Sequence, residues 1–364
     1  MRTALTALLA VLLLAGCGTH KKQSPTLVVG AVEDAAKWSP DPAQVMAETR
    51  DSGFSADVFT AVWQRGASAQ ADLPPLRKAV RAAHSAGVEP LLSIYQTSGN
   101  TPSSDADRQA FAAYAAALAR ALPSVHSVLV GNEPNLNLFW LPQFAADGTD
   151  AAAPAYEQLL ATTYDALKAV NPAIQVIGAN LAPRGGDDAA STRPTHSPTA
   201  FIRDLGAAYK ASGRTTPLMD AIAVHVYGES SHIPPSFAHP KSTSLGIADY
   251  DKLVQLIDSS FQGTAQPTDL PIVYGEYGVE TTVPADKQSL YTGQEVVPTV
   301  DAATQAEYYK QAIELTRRQP RVSMFFIFHV LDETRLEGLQ SGVRYADGSP
   351  KPSSDVVRQL ESGG

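Results

Sequence analysis

Cysteine is almost missing from this 364-residue chain: Cys17 is the only one, which excludes a disulfide scaffold and any two-cysteine metal or redox motif. Basic residues are also scarce. Lys and Arg number 28 against 37 Asp and Glu, a net charge of -9, so the surface does not suit polyanions and nucleic acid is not an expected partner. Long hydrophobic runs are limited to residues 4–15, too short for a membrane-spanning helix, which needs roughly 20 apolar residues. What the chain does have is bulk. With 44% apolar residues it can bury a sizeable core, and its length fits either two domains or one large α/β barrel.

The apolar run follows Arg2 and is closed by Gly16-Cys17 and a polar stretch to Pro25, which is the build of a secretory signal. Leu14-Ala15-Gly16-Cys17 resembles a bacterial lipobox, and the resemblance implies that Cys17 becomes the lipidated first residue of the mature chain. The alternative is a secreted protein whose signal happens to contain a cysteine. Small residues directly before Cys17, with no A-x-A site following, favour the lipoprotein. The expected division is therefore a signal peptide at 1–16, a lipidated tether at 17–25 and one barrel at 26–364. An acidic chain gains nothing from anionic lipid, so membrane attachment would rest on acyl chains, of which one alone binds only marginally.

From Thr26 onward the pattern is regular. Apolar, β-branched segments at 27–32, 56–63, 89–95, 126–131, 175–180, 220–227, 271–275 and 322–329 read as strands. Alanine-rich segments alternate with them, at 42–51, 73–86, 104–122, 154–170, 199–211, 248–261, 302–318 and 354–361. Near-continuous apolar runs fit parallel strands covered on both faces, while Phe111, Tyr114, Ala115, Leu118 and Leu122 recur at helical spacing. Gly87 and Gly213 stand where left-handed helix caps are needed. Eight strand and helix pairs in alternation predict an α/β fold, a single (β/α)8 TIM barrel. The competing architecture, an open doubly wound sheet, normally carries a glycine-rich phosphate loop after its first strand; Gly30-Ala-Val-Glu-Asp-Ala does not match.

In such a barrel the chemistry sits at the C-terminal ends of the strands. Two of these ends place a carboxylate directly after an apolar strand: Glu133 on the fourth and Glu276 on the seventh. Those strands lie on roughly opposite sides of the barrel, so the carboxylates face each other with room for a sugar ring between them. Two carboxyl groups about 5–5.5 Å apart suit glycoside hydrolysis with retention, one as acid and then base, the other as nucleophile. Neither step needs a metal or a cofactor, and none is expected.

Asn132-Glu133-Pro134 on the fourth strand, with a second glutamate ending the seventh, resembles clan A, the 4/7 superfamily of (β/α)8 glycoside hydrolases. The similarity runs from the first strand to the final helix and includes residues 342–352, which resemble the family's closing hairpin ending in Lys351-Pro352. The resemblance implies that Glu133 is the acid/base, Glu276 the nucleophile and Asn132 a ligand of the sugar 2-hydroxyl. It also implies that a group on the sixth strand bonds the nucleophile, Tyr227 before His225. Donation to Glu276 would favour its ionised form, while burial keeps Glu133 protonated. Many members carry a tryptophan on the eighth strand; here Phe328 or His329 stands in its place.

Each motif also has a plainer reading. Asn132 could simply cap a helix with Pro134 in its first turn, and either glutamate could pair with Arg65 or Arg335. Asn180 ends the fifth strand and His225 could be a hydrogen-bonded core histidine. Trp38, Trp63 and Trp140 could pack loops or stack on a polysaccharide substrate. Glu33, Asp34, Asp332 and Glu333 could bind hydroxyls or be solvated rim charges. No metal-binding spacing accompanies His225, His232 and His239. The joint position of the two glutamates favours hydrolysis; the competing function is a non-catalytic glycan-binding or cell-envelope lipoprotein on the same barrel.

Overall fold

A computed structural model describes residues 27–362; the expected signal peptide, Cys17 and the tether lie outside these residues. Eight strands, β1 (Val28–Val32), β2 (Ala56–Val62), β3 (Glu89–Tyr95), β4 (Ser127–Val130), β5 (Gln175–Leu181), β6 (Ala221–Val224), β7 (Ile272–Tyr277) and β8 (Val322–Ile327), pair in chain order. All pairings are parallel, and β8 pairs with β1 to close the barrel. The helices are α1 (Ala35–Trp38), α2 (Pro42–Asp51), α3 (Ala69–Ser85), α4 (Asp105–Ala121), α5 (Ala152–Val170), α6 (Pro198–Ser212), α7 (Tyr250–Phe261), α8 (Ala302–Thr316) and α9 (Pro352–Ser362). The fold is thus the expected single (β/α)8 barrel.

Two apolar layers hold it together. Val32, Ala56, Val58, Leu91, Leu129, Ile177, Ala221, Ala223, Val273 and Phe326 fill the lumen, alternate residues of the strands pointing inward. The larger layer lies between strands and helices and takes in Phe59, Leu92, Val128 and Phe325 with Leu76, Leu118, Leu159 and Ile313. Small residues on β1 admit large ones on β8: a Cβ at Gly30 would lie 2.6 Å from the Phe326 ring.

Local chemistry explains the element ends. Asp41, Ser68, Ser104, Ser197 and Asp301 each accept a backbone N–H in the first turn of the helix that follows. The Ser68 cap starts α3 at Ala69, four residues before the expected start at Leu73, and the helix carries Pro74 and Pro75 in its second turn. Gly213 ends α6 in the left-handed conformation, φ 67°. Strands β6 and β8 are shorter than their apolar runs: β6 leaves the ladder before His225 and β8 before Phe328. These side chains are thereby released from the strict in-and-out alternation of a strand.

The closing segment is locked from inside. Lys351, at the start of α9, is fully buried and its Nζ donates to Asp332 Oδ1 (2.6 Å), Thr281 Oγ1 (2.8 Å) and the Gln340 carbonyl (3.0 Å). Tyr291 donates to the other carboxylate oxygen of Asp332 at 2.9 Å. Asp332 is therefore a structural ion-pair partner and not a sugar ligand. Removing one member of such a pair strands a charge in a dry interior. We expect Lys351→Met to lower stability by about 3–5 kcal/mol, and Asp332→Leu/Lys351→Met to recover part of that loss, both read from denaturant unfolding.

Candidate active site

The C-terminal ends of β4 to β7 are stitched together by backbone bonds that continue past the ladder. Glu133 N–H donates to the Asn180 carbonyl (2.9 Å), His225 N–H to Leu181 (2.7 Å) and Val226 N–H to Glu276 (3.0 Å). Gly131 turns the chain after β4 at φ 85°, and Glu133 itself is left-handed at φ 41°, a conformation costing about 1–3 kcal/mol for a non-glycine residue. No helix starts at Asn132; α5 begins at Ala152, so the capping role does not apply. On β5 a register shift between Ala179 and Leu181, with Ala179 at φ 70° and Asn180 at φ 49°, rolls Asn180 toward the mouth.

The two glutamates meet around one imidazole. His225 Nδ1 lies 2.8 Å from Glu133 Oε1 and 3.4 Å from Glu276 Oε2, and its Nε2 lies 3.0 Å from Asn180 Oδ1. Tyr227 O–H donates to Glu276 Oε2 at 3.0 Å. His225 is completely buried. Burial disfavours its cation, but Glu276 and the bond to Glu133 outweigh that, leaving the imidazole more basic than usual. Burial likewise raises the Glu276 carboxyl above the ordinary range; His225 and the Tyr227 hydroxyl pull it down while Glu133 pushes it up. Tyr227 donation thus offsets part of the burial effect on Glu276 without reversing it, contrary to the simple expectation of a readily ionised nucleophile. Tyr227 is itself held well above the usual phenol range, by burial first and by Glu276 next.

Two cavities open on either side of this pair and share Glu133, Glu276 and Phe328. The first, about 320 Å³, reaches over the barrel mouth and is lined by Asp34, Tyr95, Asn132, Asn180 and His329 among others. Asp34 is fixed there by Lys37 at 2.9 Å and by the Thr60 N–H at 3.0 Å. Phe328 and His329 stack with ring centroids 3.8 Å apart, and His329 Nδ1 donates to the Val32 carbonyl at 3.0 Å. The second cavity, about 400 Å³, is lined by Arg184, Tyr227, Glu229 and Glu280. Burial, reinforced by Glu295, pushes the Glu280 carboxyl up to about 7.

Glu133, Glu276, Asn132, His225, Tyr227, Asn180 and His329 therefore come together. Trp63 and Trp140 do not. Each is 1% exposed, Trp63 edge-on to Phe111 and Trp140 edge-on to Tyr156 in the outer core, so neither offers a face to a sugar. The residue that follows an apolar strand is as apt to turn back under the helices as into the mouth. Trp38 is 70% exposed on α1, outside both cavities. Glu33 accepts the N–H groups of Ala35 and Leu331 and serves the backbone. Arg65 pairs with Asp107 and Arg335 with Glu337, so neither neutralises the central glutamates. His239 is held between Asp249 and Glu229, at 2.6 and 2.7 Å. Sequence reasoning passed over Arg184, Glu229 and Glu280, charged residues that follow β5, β6 and β7 by only a few positions, and undervalued Asp34. Among the described residues no group of His, Cys, Asp and Glu is arranged to hold a metal ion.

No protein-family profile matches this chain, and no curated protein sequence does. Its backbone nevertheless superposes on many solved structures. The GH5_18 enzyme of Streptomyces cattleya, in complex with GlcNAc, aligns with a TM-score of 0.61 at 15% identity, over 93% of this chain and 80% of that one. A monomeric beta-xylosidase from Caulobacter crescentus CB15 aligns at 0.57 with 20% identity, over 93% and 68%. A GH10 endoxylanase retrieved from a sugarcane soil metagenome aligns at 0.57 with 13% identity, over 92% and 96%. The chain has the (β/α)8 fold of the GH5, GH10 and other clan GH-A glycoside hydrolases.

Proposed function

We propose that the protein is a retaining glycoside hydrolase acting on an extracytoplasmic polysaccharide or oligosaccharide. The observation that carries this reading is the single nitrogen of His225 that reaches both glutamates, at 2.8 and 3.4 Å. Two oxygens so close to one atom are at most about 6 Å apart, which favours the closer carboxyl spacing of retaining enzymes over the roughly 6.5–9.5 Å that inverting enzymes use to admit water. The carbohydrate ligands of the structural neighbours, GlcNAc and Manb1-4GlcNAc in Streptomyces cattleya GH5_18, support a sugar substrate.

In this mechanism the reacting sugar occupies the cavity over the barrel mouth and the leaving group lies on the Tyr227 and Arg184 side. Glu133 gives its proton to the glycosidic oxygen as Glu276 attacks the anomeric carbon and the C–O bond breaks. Glu133 then takes a proton from a water whose oxygen displaces Glu276. Asn132 holds the 2-hydroxyl, and Phe328, common to both cavities, carries the ring. Arg184 is the single Lys or Arg among the residues lining the two cavities, against Asp34, Glu133, Glu229, Glu276 and Glu280. Neutral or amino sugars fit that field better than uronates. Lipid on Cys17 would keep the enzyme at the outer face of a bacterial membrane.

Glu276→Ala is expected to abolish hydrolysis, with azide restoring turnover to a product of opposite anomeric configuration; full activity in the variant would remove Glu276 from the reaction. A non-catalytic glycan binder would instead retain its affinity in Glu276→Gln and show no turnover in the parent chain. Glu133→Ala should cost about 10²–10⁴-fold on substrates with alkyl leaving groups and less on aryl glycosides, whose leaving oxygen needs little protonation. Tyr227→Phe removes a donor that lowers the Glu276 pKa, so the acidic limb of kcat/KM, where Glu276 ionises, moves to higher pH. Cys17→Ser should release the protein into the medium; retention in the membrane fraction would contradict the anchor.

A further inference from the structure

Both polar side-chain atoms of Asn180 already have protein partners. Its Nδ2 donates to Asn132 Oδ1 at 3.1 Å and to the Gly131 carbonyl at 3.4 Å, which turns Oδ1 toward His225 Nε2 at 3.0 Å. The opposite amide orientation would set the Asn180 oxygen against the Gly131 carbonyl oxygen, with no hydrogen between them. A carbonyl oxygen only accepts, so Nε2 must carry hydrogen. The other ring nitrogen, Nδ1, then faces Glu133 and Glu276 with either an N–H or a bare lone pair. In a fully buried imidazole, a lone pair against two carboxylates is repulsive and has no water to relieve it.

One proton therefore belongs between Nδ1 and Glu133 Oε1, as imidazolium beside carboxylate or as imidazole beside carboxylic acid. We infer that Asn180 is a positioning residue: by fixing His225 in its Nε2–H form it keeps on the Glu133–His225 pair the proton that the glycosidic oxygen takes. The last step rests on the hydrolase reading; the tautomer does not.

Two further features are built around this contact. The β5 register shift and the left-handed backbone at Asn180 bring the amide to the ring. Gly275, on β7, leaves the space it needs: a Cβ there would lie 2.4 Å from Asn180 Oδ1 and 3.4 Å from His225 Nε2. The other titratable or charged groups facing the pair are Glu276 from β7, Tyr227 beyond β6 and Arg184 beyond β5, with His329 beyond β8 acting on Glu276. The variants below leave all four in place.

When the shared proton departs, a wild-type site is left with the unfavourable bare Nδ1. Without the Asn180 carbonyl the neutral ring can carry its hydrogen on Nδ1 and donate to the Glu133 carboxylate, so the proton is lost at lower pH. An Asp at 180 would stabilise the imidazolium and hold the proton to higher pH. The alkaline limb of kcat/KM reports the pair as a unit.

The test uses the purified full-length chain and its Asn180→Ala, Asn180→Asp and Gly275→Ala variants. Nitrogen-15 imidazole signals, assigned to His225 by their loss in His225→Gln, should give the Nε2–H tautomer in the parent wherever the ring is neutral, and Nδ1–H in Asn180→Ala. On a glycoside with an alkyl or sugar leaving group that the parent cleaves, the alkaline limb should move to lower pH in Asn180→Ala and Gly275→Ala and to higher pH in Asn180→Asp. An Nδ1–H tautomer in the parent, or a limb that moves the same way in the Ala and Asp variants or stays fixed, overturns the assignment. Should Asn180→Ala fail to fold, the opposed shifts of Asn180→Asp and Gly275→Ala decide. If the parent cleaves no glycoside, the hydrolase reading fails, and the imidazole signals still decide the tautomer.

Discussion

A buried imidazole between two carboxylates is the constraint on which the rest of the mouth depends. Three ionisable groups packed this closely destabilise one another unless their charges and protons are shared out. Removing any one partner leaves an uncompensated charge or lone pair, at a cost comparable to breaking a buried ion pair. The barrel makes the arrangement tolerable in two ways. Its closed ladder fixes the backbone from which Glu133, His225 and Glu276 emerge, and the bonds from Glu133 N–H to Asn180 and from Val226 N–H to Glu276 hold the ring of loops at constant spacing. The left-handed turn at Glu133 is affordable only on so rigid a support.

The same constraint orders the surroundings. The first cavity is lined by fixed polar groups, Asp34 locked by Lys37 and Thr60, and by the Phe328–His329 stack. A site whose groups are already held by protein partners reorganises little when a ligand arrives, which is the condition under which electrostatic contributions to a reaction are largest. The second cavity differs in character. Glu280, poised near neutrality by burial, and the half-buried Arg184, whose Nη1 donates to the Tyr227 carbonyl at 3.0 Å, give it groups that can respond to what binds. The two sides thus differ in titratable charge across the same pair of glutamates.

Much of the fold was legible in the sequence, because a parallel barrel asks only for pattern: apolar runs of strand length, helical stripes and turn residues in alternation. Identities of 10–20% with structures of the same fold make the same point, since pattern survives where individual residues do not. Glu133 and Glu276 were legible for a related reason, as carboxylates placed directly after apolar strands. The tryptophans were not. Whether a side chain just beyond a strand turns into the mouth or under the helices depends on where the ladder ends, and Trp63 and Trp140 went under. Asp332 was hidden by distance, since its partner Lys351 lies on the far side of a hairpin.

Asn180 is the most instructive case. Its place at a strand end suggested contact with substrate, and each polar atom of its amide also has a protein partner. Nothing in a run of Gln-Val-Ile-Gly-Ala-Asn signals a left-handed backbone at a non-glycine pair, and the register shift that produces it is a property of two strands rather than one. The consequence reaches the chemistry because hydrogen-bond direction is transmitted along a chain of groups each with limited options. The Gly131 carbonyl can only accept, so Asn180 Nδ2 must donate to it, Asn180 Oδ1 must accept, and His225 Nε2 must donate. A main-chain oxygen at the end of β4 thereby sets which ring nitrogen of His225 carries hydrogen, and the placement of a proton follows from backbone geometry three strands away from Glu276.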